Sequence, residues 1–142
     1  MRVIIIIQAR TSSSRLPRKV ERRVGEHRLI DWVLKYCTES SADDVVLAVP
    51  GHQVNDLSAM VAEQKSVHIF GGSEDNVASR FAEAGVQHKA DYVIRVTCDD
   101  PFKPVELIKA ALEAVDRALE LRPGGELEAY REALTKLVDA AN

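Results

Sequence analysis

Residues 3–19 of this chain read VIIIIQARTSSSRLPRK, an apolar run followed by a loop of hydroxyl and cationic side chains. The run from Val3 to Ile7 is β-branched throughout, which is typical of a strand buried on both faces in a parallel α/β sheet. Ligands of open α/β sheets bind just past the carboxyl ends of the strands, where this loop stands. The stretch therefore predicts a first strand over residues 2–8 and a ligand-binding loop after it.

The loop that follows this strand has a composition suited to a polyphosphate. Guanidinium groups bind phosphate oxygens through paired donors, and hydroxyl groups and loop amides add neutral donors. The glycines of the Walker loop and of the dinucleotide fingerprint are absent from it. The composition of the loop thus favours a nucleotide-binding site that uses neither of these motifs. The alternative is a basic loop that faces solvent and has no ligand.

Strand and helix patterns alternate along the rest of the chain. Further strands are predicted at 44–49, 67–70 and 91–97, and helices are predicted to begin near Leu29, Asp56, Ser73, Pro104 and Leu127. This alternation implies right-handed crossovers and a three-layer α/β/α fold with a mostly parallel sheet. We expect one domain over residues 1–142, with a nucleotide-binding core (1–104) and a C-terminal helical hairpin (105–142).

The overall charge and the local charge of the chain differ. The 142 residues carry a net charge of −3, which argues against a general nucleic-acid-binding surface. Residues 10–28 contain a group of cations that predicts an anion-attracting patch: Arg10, Arg15, Arg18, Lys19, Arg22, Arg23 and Arg28. The only acidic residues in this segment are Glu21 and Glu26. Neither a membrane span, a signal peptide nor a disulfide framework is recognisable, which predicts a cytoplasmic protein without a membrane partner.

Two further polar clusters follow predicted strands. Residues 97–101 (TCDDP) place two carboxylates at a strand end, where Mg²⁺ takes one or two carboxylates together with substrate phosphates. Because neighbouring side chains on an extended backbone point to opposite sides, only one of Asp99 and Asp100 is expected to be a ligand. The alternative is a turn, in which Asp-Asp-Pro is common. Residues 71–75 (GGSED) by themselves indicate only the start of a helix. They become a candidate part of the site because they follow a strand at the same sheet edge as the other two loops.

Several of these segments together resemble the cytidylyltransferases that activate acidic sugars, a family that includes the 3-deoxy-manno-octulosonate and acylneuraminate enzymes. The similarity covers residues 1–108, is closest to the spore-coat-polysaccharide type, and lies in residues 7–19, 29–33 (LIDWV), 72–77 (GSEDNV) and 95–101 (RVTCDDP). It implies the nucleotide-diphospho-sugar transferase (glycosyltransferase-A, Rossmann-like) fold. It also implies CTP as donor, an acidic sugar as acceptor and Mg²⁺ as cofactor.

The resemblance also implies site residues by their positions in these motifs. Those implied to contact the triphosphate are Arg10, Ser13, Arg15 and Lys19. Ala9 would line the base, Ser73 stands where the family contacts the nucleotide, and Asp99 would be the metal ligand. Among all of these, the catalytic residues would be Arg10, Lys19 and Asp99.

The chain departs from the family pattern at several positions. Arg18 and Glu26 stand where glycines are usual, and Arg28 stands where proline is usual. Cys98 replaces the glycine before the aspartate, and its side chain is expected to crowd the nucleotide. Family members continue well beyond this point with strands that complete the sugar pocket and often a second metal carboxylate. Residues 106–142 here read only as two helices joined at 123–125.

These departures leave two hypotheses from different classes open. The first is an active cytidylyltransferase that transfers CMP to an acidic sugar for surface polysaccharide biosynthesis. The second is a shortened, inactive relative that binds a nucleotide or self-associates. A nucleotidyltransferase that activates a polyol phosphate is disfavoured, because those enzymes open with a glycine-rich loop. The apolar stripe of the last helix would be buried on its own sheet or across a homodimer.

Overall fold

The computed structural model describes residues 1–64, 66–102 and 105–120, with the backbone alone for residues 115, 116 and 118–120. Two short 3-10 helices, Lys19–Glu21 and Gly51–Gln53, accompany the main elements. In chain order these are β1 (Val3–Gln8), β2 (Arg23–Val24), β3 (His27–Arg28), α1 (Leu29–Thr38), β4 (Asp44–Pro50), α2 (Val54–Met60), β5 (Val67–Gly72), α3 (Val77–Gln87), β6 (Tyr92–Thr97) and α4 (Val105–Glu120).

The centre of the structure is a four-stranded parallel sheet with the strand order β5–β4–β1–β6. Strand β1 is an inner strand, and Ile5 is in register with Val45 on one side and with Ile94 on the other. Residues 3–7 are all at most 5% exposed, so the predicted burial of this strand on both faces is confirmed. Its β-branched composition follows from that position, since each side chain meets a covered face.

Helices cover both faces of the sheet, which confirms the predicted three layers. Side chains alternate along β1, so Ile5 and Ile7 join one core with residues of α1, α2 and α4, including Leu34, Leu57 and Ile108. Residues Ile4 and Ile6 join a second core with α3, through Phe81 and Ala84. The second helix of the predicted C-terminal hairpin lies outside the described residues. Within those residues, no helix has both the length and the apolar character needed to span a membrane.

Two predicted helix starts are wrong. Helix α2 begins at Val54, so Asp56 lies in its first turn instead of capping it. Helix α3 begins at Val77, and its cap is Asn76, whose Oδ1 accepts a hydrogen bond from Ser79 N at 2.9 Å. The cause is at β5, which continues to pair with β4 as far as Gly72 and leaves Ser73 in the turn that follows. The β2–β3 hairpin, whose turn contains Gly25 at φ +65°, was also not predicted.

At the amino-terminal edge of the sheet, Asp44 gathers three basic side chains. Its carboxylate accepts a hydrogen bond from the Arg2 guanidinium, and His88 Nδ1 and His68 Nε2 lie 3.1 and 3.4 Å from its oxygens. Burial raises the pKa of Asp44, but the hydrogen bonds from His88 and Arg2 outweigh burial and hold that pKa below its usual range. The ionised carboxylate at the start of β4 thus contacts side chains from β5, from the residue before β1 and from the residue after α3.

Asp44→Asn is therefore expected to lower the free energy of unfolding at neutral pH by about 1–2 kcal/mol, because charge-assisted hydrogen bonds are lost. A carboxyl whose folded-state pKa is depressed stabilises the fold above its usual pKa of about 3.9. The difference between wild type and variant should therefore vanish as the pH falls through the lowered pKa. Urea unfolding across this range, with the exposed Asp75→Asn as control, measures it. A difference that grows on acidification would contradict this explanation.

Candidate functional site

The carboxyl ends of all four parallel strands lie at one edge of the sheet. Gln8 is in register with Ala48 and Thr97, and Pro50 is in register with Gly72. The segments that follow the strands, residues 9–18, 51–53, 73–76 and 98–102, therefore emerge side by side. The three polar clusters singled out in the sequence belong to three of these four segments.

The loop of residues 9–18 is held by a glutamine for which the sequence provided no motif. Gln53 is 5% exposed, and its Oε1 accepts a hydrogen bond from Thr11 N at 2.7 Å. Its Nε2 donates to Ser12 Oγ at 3.1 Å. Arg18 N then donates to Thr11 O at 2.9 Å and closes the loop. One buried amide side chain from the neighbouring segment thus fixes the start of the loop, and the backbone fixes its end.

Gln53→Ala is expected to lower the free energy of unfolding by about 1–3 kcal/mol, because it leaves the Thr11 amide without its buried acceptor. Thermal and urea unfolding measure this loss, and the exposed Gln87→Ala is the matched control. Faster amide hydrogen exchange at Thr11 is the local signature. Equal stability of the two variants would mean that Gln53 does not anchor the loop.

Arg18 has a left-handed backbone, with φ 53° and ψ 34°. Glycine adopts this conformation without strain, which explains why a glycine is usual at this position. Here the guanidinium makes a bidentate contact with the Asp56 carboxylate, with both N–O distances at 3.0 Å. This ion pair joins the loop to α2.

The cationic patch predicted between residues 10 and 28 is partly neutralised by carboxylates. Arg18 pairs with Asp56, and Arg28 pairs with Asp31 at 2.8 Å, where it precedes α1. In contrast, Arg10 and Arg15 are exposed and make no hydrogen bond or ion pair to the parts of the chain that the structure describes. These two arginines are the cations of the loop that remain available for an anion.

Lys19 and Asp99 meet directly, although they lie 80 positions apart. Lys19 Nζ is 3.0 Å from Asp99 Oδ2, and the side chains are 33% and 54% exposed. Hydrogen bonds from Lys19 and Thr97 hold the pKa of Asp99 below its usual range, against the smaller effect of burial. The structure thus brings a predicted phosphate-binding cation and the predicted metal ligand together, with the aspartate ionised and accessible.

The Cys98 side chain, which was expected to crowd the nucleotide, is 3% exposed and lies in the core that includes α1. This position argues against such crowding. Burial, with a smaller contribution from Asp99, raises the pKa of the thiol to about 12, and Cys98 is neutral at physiological pH. Nearby, Tyr36 Oη donates a hydrogen bond to Asp100 O at 2.9 Å and anchors the turn after β6.

The other predicted site residues shape the backbone of the loops. Ala9 is buried, and its N donates to Ala48 O at 3.3 Å, so pairing continues one residue beyond β1. Ser13 Oγ accepts a hydrogen bond from Leu16 N at 3.4 Å. Ser73 Oγ accepts one from Asn76 N at 3.0 Å, inside the turn before α3. All three residues therefore lie in segments at the carboxyl edge.

Asp99 is the residue at this edge that was predicted to hold a metal ion. Among the described residues, no group of three or more histidine, cysteine, aspartate or glutamate side chains could hold a metal ion. A magnesium site needs no such group when substrate phosphates and water supply the remaining ligands. An exposed, ionised carboxylate at a strand end fits that kind of site.

Sequence and structure comparisons identify relatives of this chain. Residues 4–130 match the family described as Cytidylyltransferase. The spore coat polysaccharide biosynthesis protein SpsF of Bacillus subtilis is 32% identical over 117 residues, which cover 79% of this chain and 49% of SpsF. The 3-deoxy-manno-octulosonate cytidylyltransferase of a Marinomonas species is 31% identical over 121 residues, 82% of this chain and 44% of that enzyme.

A solved structure has the same architecture. A cytidylyltransferase from Leptospira borgpetersenii matches with a TM-score of 0.72 and 26% identity, over 80% of this chain and 48% of that one. The chain thus spans about half the length of the relatives it matches. The match over residues 4–130 and the shared fold lead to one conclusion: this chain belongs to the cytidylyltransferase family.

Proposed function

We propose that this protein acts as a cytidylyltransferase that transfers CMP from CTP to an acidic sugar for surface polysaccharide biosynthesis. The observation that carries the proposal is the contact between Lys19, directly after the loop of residues 9–18, and Asp99 in the segment after β6. It joins a cation suited to phosphate and a carboxylate suited to a metal at one sheet edge. The names of the relatives support a cytidine nucleotide as the donor, an acidic sugar as the acceptor and polysaccharide biosynthesis as the pathway class.

In the proposed reaction, an acceptor oxygen of the sugar attacks the α-phosphorus of CTP. A new bond from oxygen to phosphorus forms as the bond to the bridging oxygen of the β-phosphate breaks, so pyrophosphate leaves and the acceptor proton passes to solvent. Arg10, Arg15 and Lys19 hold the triphosphate and neutralise its charge, with Ser13 and the loop amides as further donors. Ala9 lines the base, and Ser73 approaches the nucleotide from the neighbouring loop.

Asp99 is the residue that would hold a magnesium ion. When bound, the ion neutralises charge on the phosphate oxygens and favours departure of pyrophosphate. Ionised Asp99 would exchange the ammonium group of Lys19 for the ion, and Lys19 would be released to the triphosphate. The proposed catalytic residues are therefore Arg10, Lys19 and Asp99, and no protein nucleophile is required.

The second candidate is a shortened relative that binds the nucleotide without turnover. The part of this chain that aligns with its relatives covers about half of their length. In the described sheet, β6 is also an edge strand on the side where an acceptor pocket could be built. Under this hypothesis a partner or a second copy of the chain would have to supply the acceptor site.

Calorimetric titration with CTP, with and without Mg²⁺, tests the proposal, and ATP, GTP and UTP are the controls. Magnesium-dependent binding that is selective for CTP is expected, followed by pyrophosphate release in a screen of sugar acids. Selective binding without release for any acceptor would favour the non-catalytic relative. Absence of binding for every nucleotide would refute both candidates.

A further inference from the structure

Helix α3 contributes a buried arginine that the proposed mechanism does not use. Arg80 is 1% exposed, and its Nη1 donates a hydrogen bond to Ser73 O at 2.9 Å. Its Nε is buried without a hydrogen-bond partner. None of the carboxylates in the described ranges forms an ion pair with it. Buried arginines are normally paired with an acid, so this charge calls for an explanation.

The space that the Arg80 side chain occupies depends on the glycine at position 72. A Cβ atom at position 72 would lie 2.8 Å from Arg80 Cγ and 3.0 Å from Phe70 Cε1, so only glycine leaves room for the arginine stem. Gly72 is the last residue of β5, and Ser73 follows it at the carboxyl edge of the sheet. The glycine of the GGSED segment is therefore explained by packing against Arg80.

The position of Arg80 is costly for a positive charge. Burial lowers the pKa of its guanidinium, the charge of Arg10 lowers it further, and Glu74 alone acts in the opposite direction. A buried charge without a partner destabilises a fold, and its replacement by an apolar side chain of similar size is often stabilising. Such costs are characteristic of functional sites, where stability is lowered in favour of activity.

We propose that Arg80 is a positioning residue that acts as a fixed positive charge behind the anion-binding loops and raises their affinity for a polyphosphate. It does not touch the ligand, because it is enclosed. It acts on exposed Arg10 by repulsion and on the 73–76 turn through the Ser73 carbonyl. Its field is weakly screened because it originates inside the protein. The inference rests on the proposed function only in the choice of CTP as one of two probes.

Arg80→Met and Arg80→Lys test this role, with inorganic triphosphate and CTP as probes and the exposed Arg117→Met as control. For Arg80→Met we expect a ligand-free melting temperature equal to or above that of wild type. We also expect the affinity for both probes to fall by about tenfold or more. Because burial lowers the pKa of a lysine, Arg80→Lys is measured at about pH 6, where it is more readily protonated and should retain most of the affinity. Arg117→Met should bind as wild type does.

Two results would overturn the inference. Arg80→Met could bind both probes with wild-type affinity, which would make Arg80 a structural residue. Alternatively, Arg80→Lys could lose about tenfold or more of the wild-type affinity for both probes, which would show that a positive charge at this position is not the reason. Because this comparison is made with wild type, it also decides the matter if the methionine variant folds poorly. If inorganic triphosphate binds in an Arg80-dependent way but CTP is not preferred, the proposed function fails and the inference stands. If wild type binds neither probe, both fail.

Discussion

Asp99→Asn is expected to abolish the magnesium-dependent part of CTP binding and to reduce pyrophosphate release to background. The variant removes the carboxylate that we propose as the metal ligand, and an amide is a poorer ligand than a carboxylate for a hard divalent cation. It also releases Lys19, which is 3.0 Å from Asp99 Oδ2 in the ligand-free protein. Binding of inorganic triphosphate without metal should therefore become tighter while metal-dependent binding is lost.

Isothermal titration with and without Mg²⁺ resolves these two opposite effects. The ligand-free stability should change little, because ion pairs between exposed side chains contribute little to folding. Asp100→Asn is the matched control, since it makes the same change of charge one residue away. Retained magnesium dependence in the Asp99 variant, or its loss in the Asp100 variant, would assign the metal to a different residue.

Lys19→Met is expected to weaken CTP binding by about 1.5–3 kcal/mol, a fall in affinity of roughly 10- to 150-fold. The variant keeps most of the aliphatic stem and removes an ammonium group proposed to contact the triphosphate. Because a smaller number of cations then faces the ligand, the affinity should also depend less on salt concentration. The hydrogen bond from Lys19 holds the pKa of Asp99 low, so this pKa should rise in the variant.

Titration calorimetry at two salt concentrations measures the affinity, and carboxyl chemical shifts measure the pKa. Lys109→Met is the control, because Lys109 is exposed on α4. A raised Asp99 pKa with unchanged CTP affinity would mean that Lys19 pairs with Asp99 but does not contact CTP. A fall in affinity of similar size in the Lys109 variant would point to nonspecific charge attraction.

Much of the fold could be predicted because its signals are local. The β-branched run at β1 predicted a strand buried on both faces, and residues 3–7 are buried. The errors are at element ends, where tertiary contacts compete with local propensity. Continued pairing of β5 with β4 moved the start of α3 from Ser73 to Val77, and Asn76 supplied the cap.

For the candidate site too, one part could be predicted from the sequence and another part could not. Its location followed from topology, because parallel strands place their carboxyl ends together, and the loops after β1, β5 and β6 emerge there. The roles of individual residues in catalysis and binding remain predictions. The burial of Cys98 could not be predicted, because its position in the chain does not reveal which side of the strand end faces the core.

Residue chemistry and hydrophobic periodicity are properties of neighbouring positions, and they were sufficient to predict the layered sheet, the polyphosphate-type loop and the acidic strand end. Other features join residues far apart in the chain: Gln53 to Thr11 across 42 positions and Lys19 to Asp99 across 80. The burial of Arg80 against Gly72 likewise depends on how α3 packs on β5. Such contacts exist only after the sheet has formed, because its register places the side chains within reach of one another.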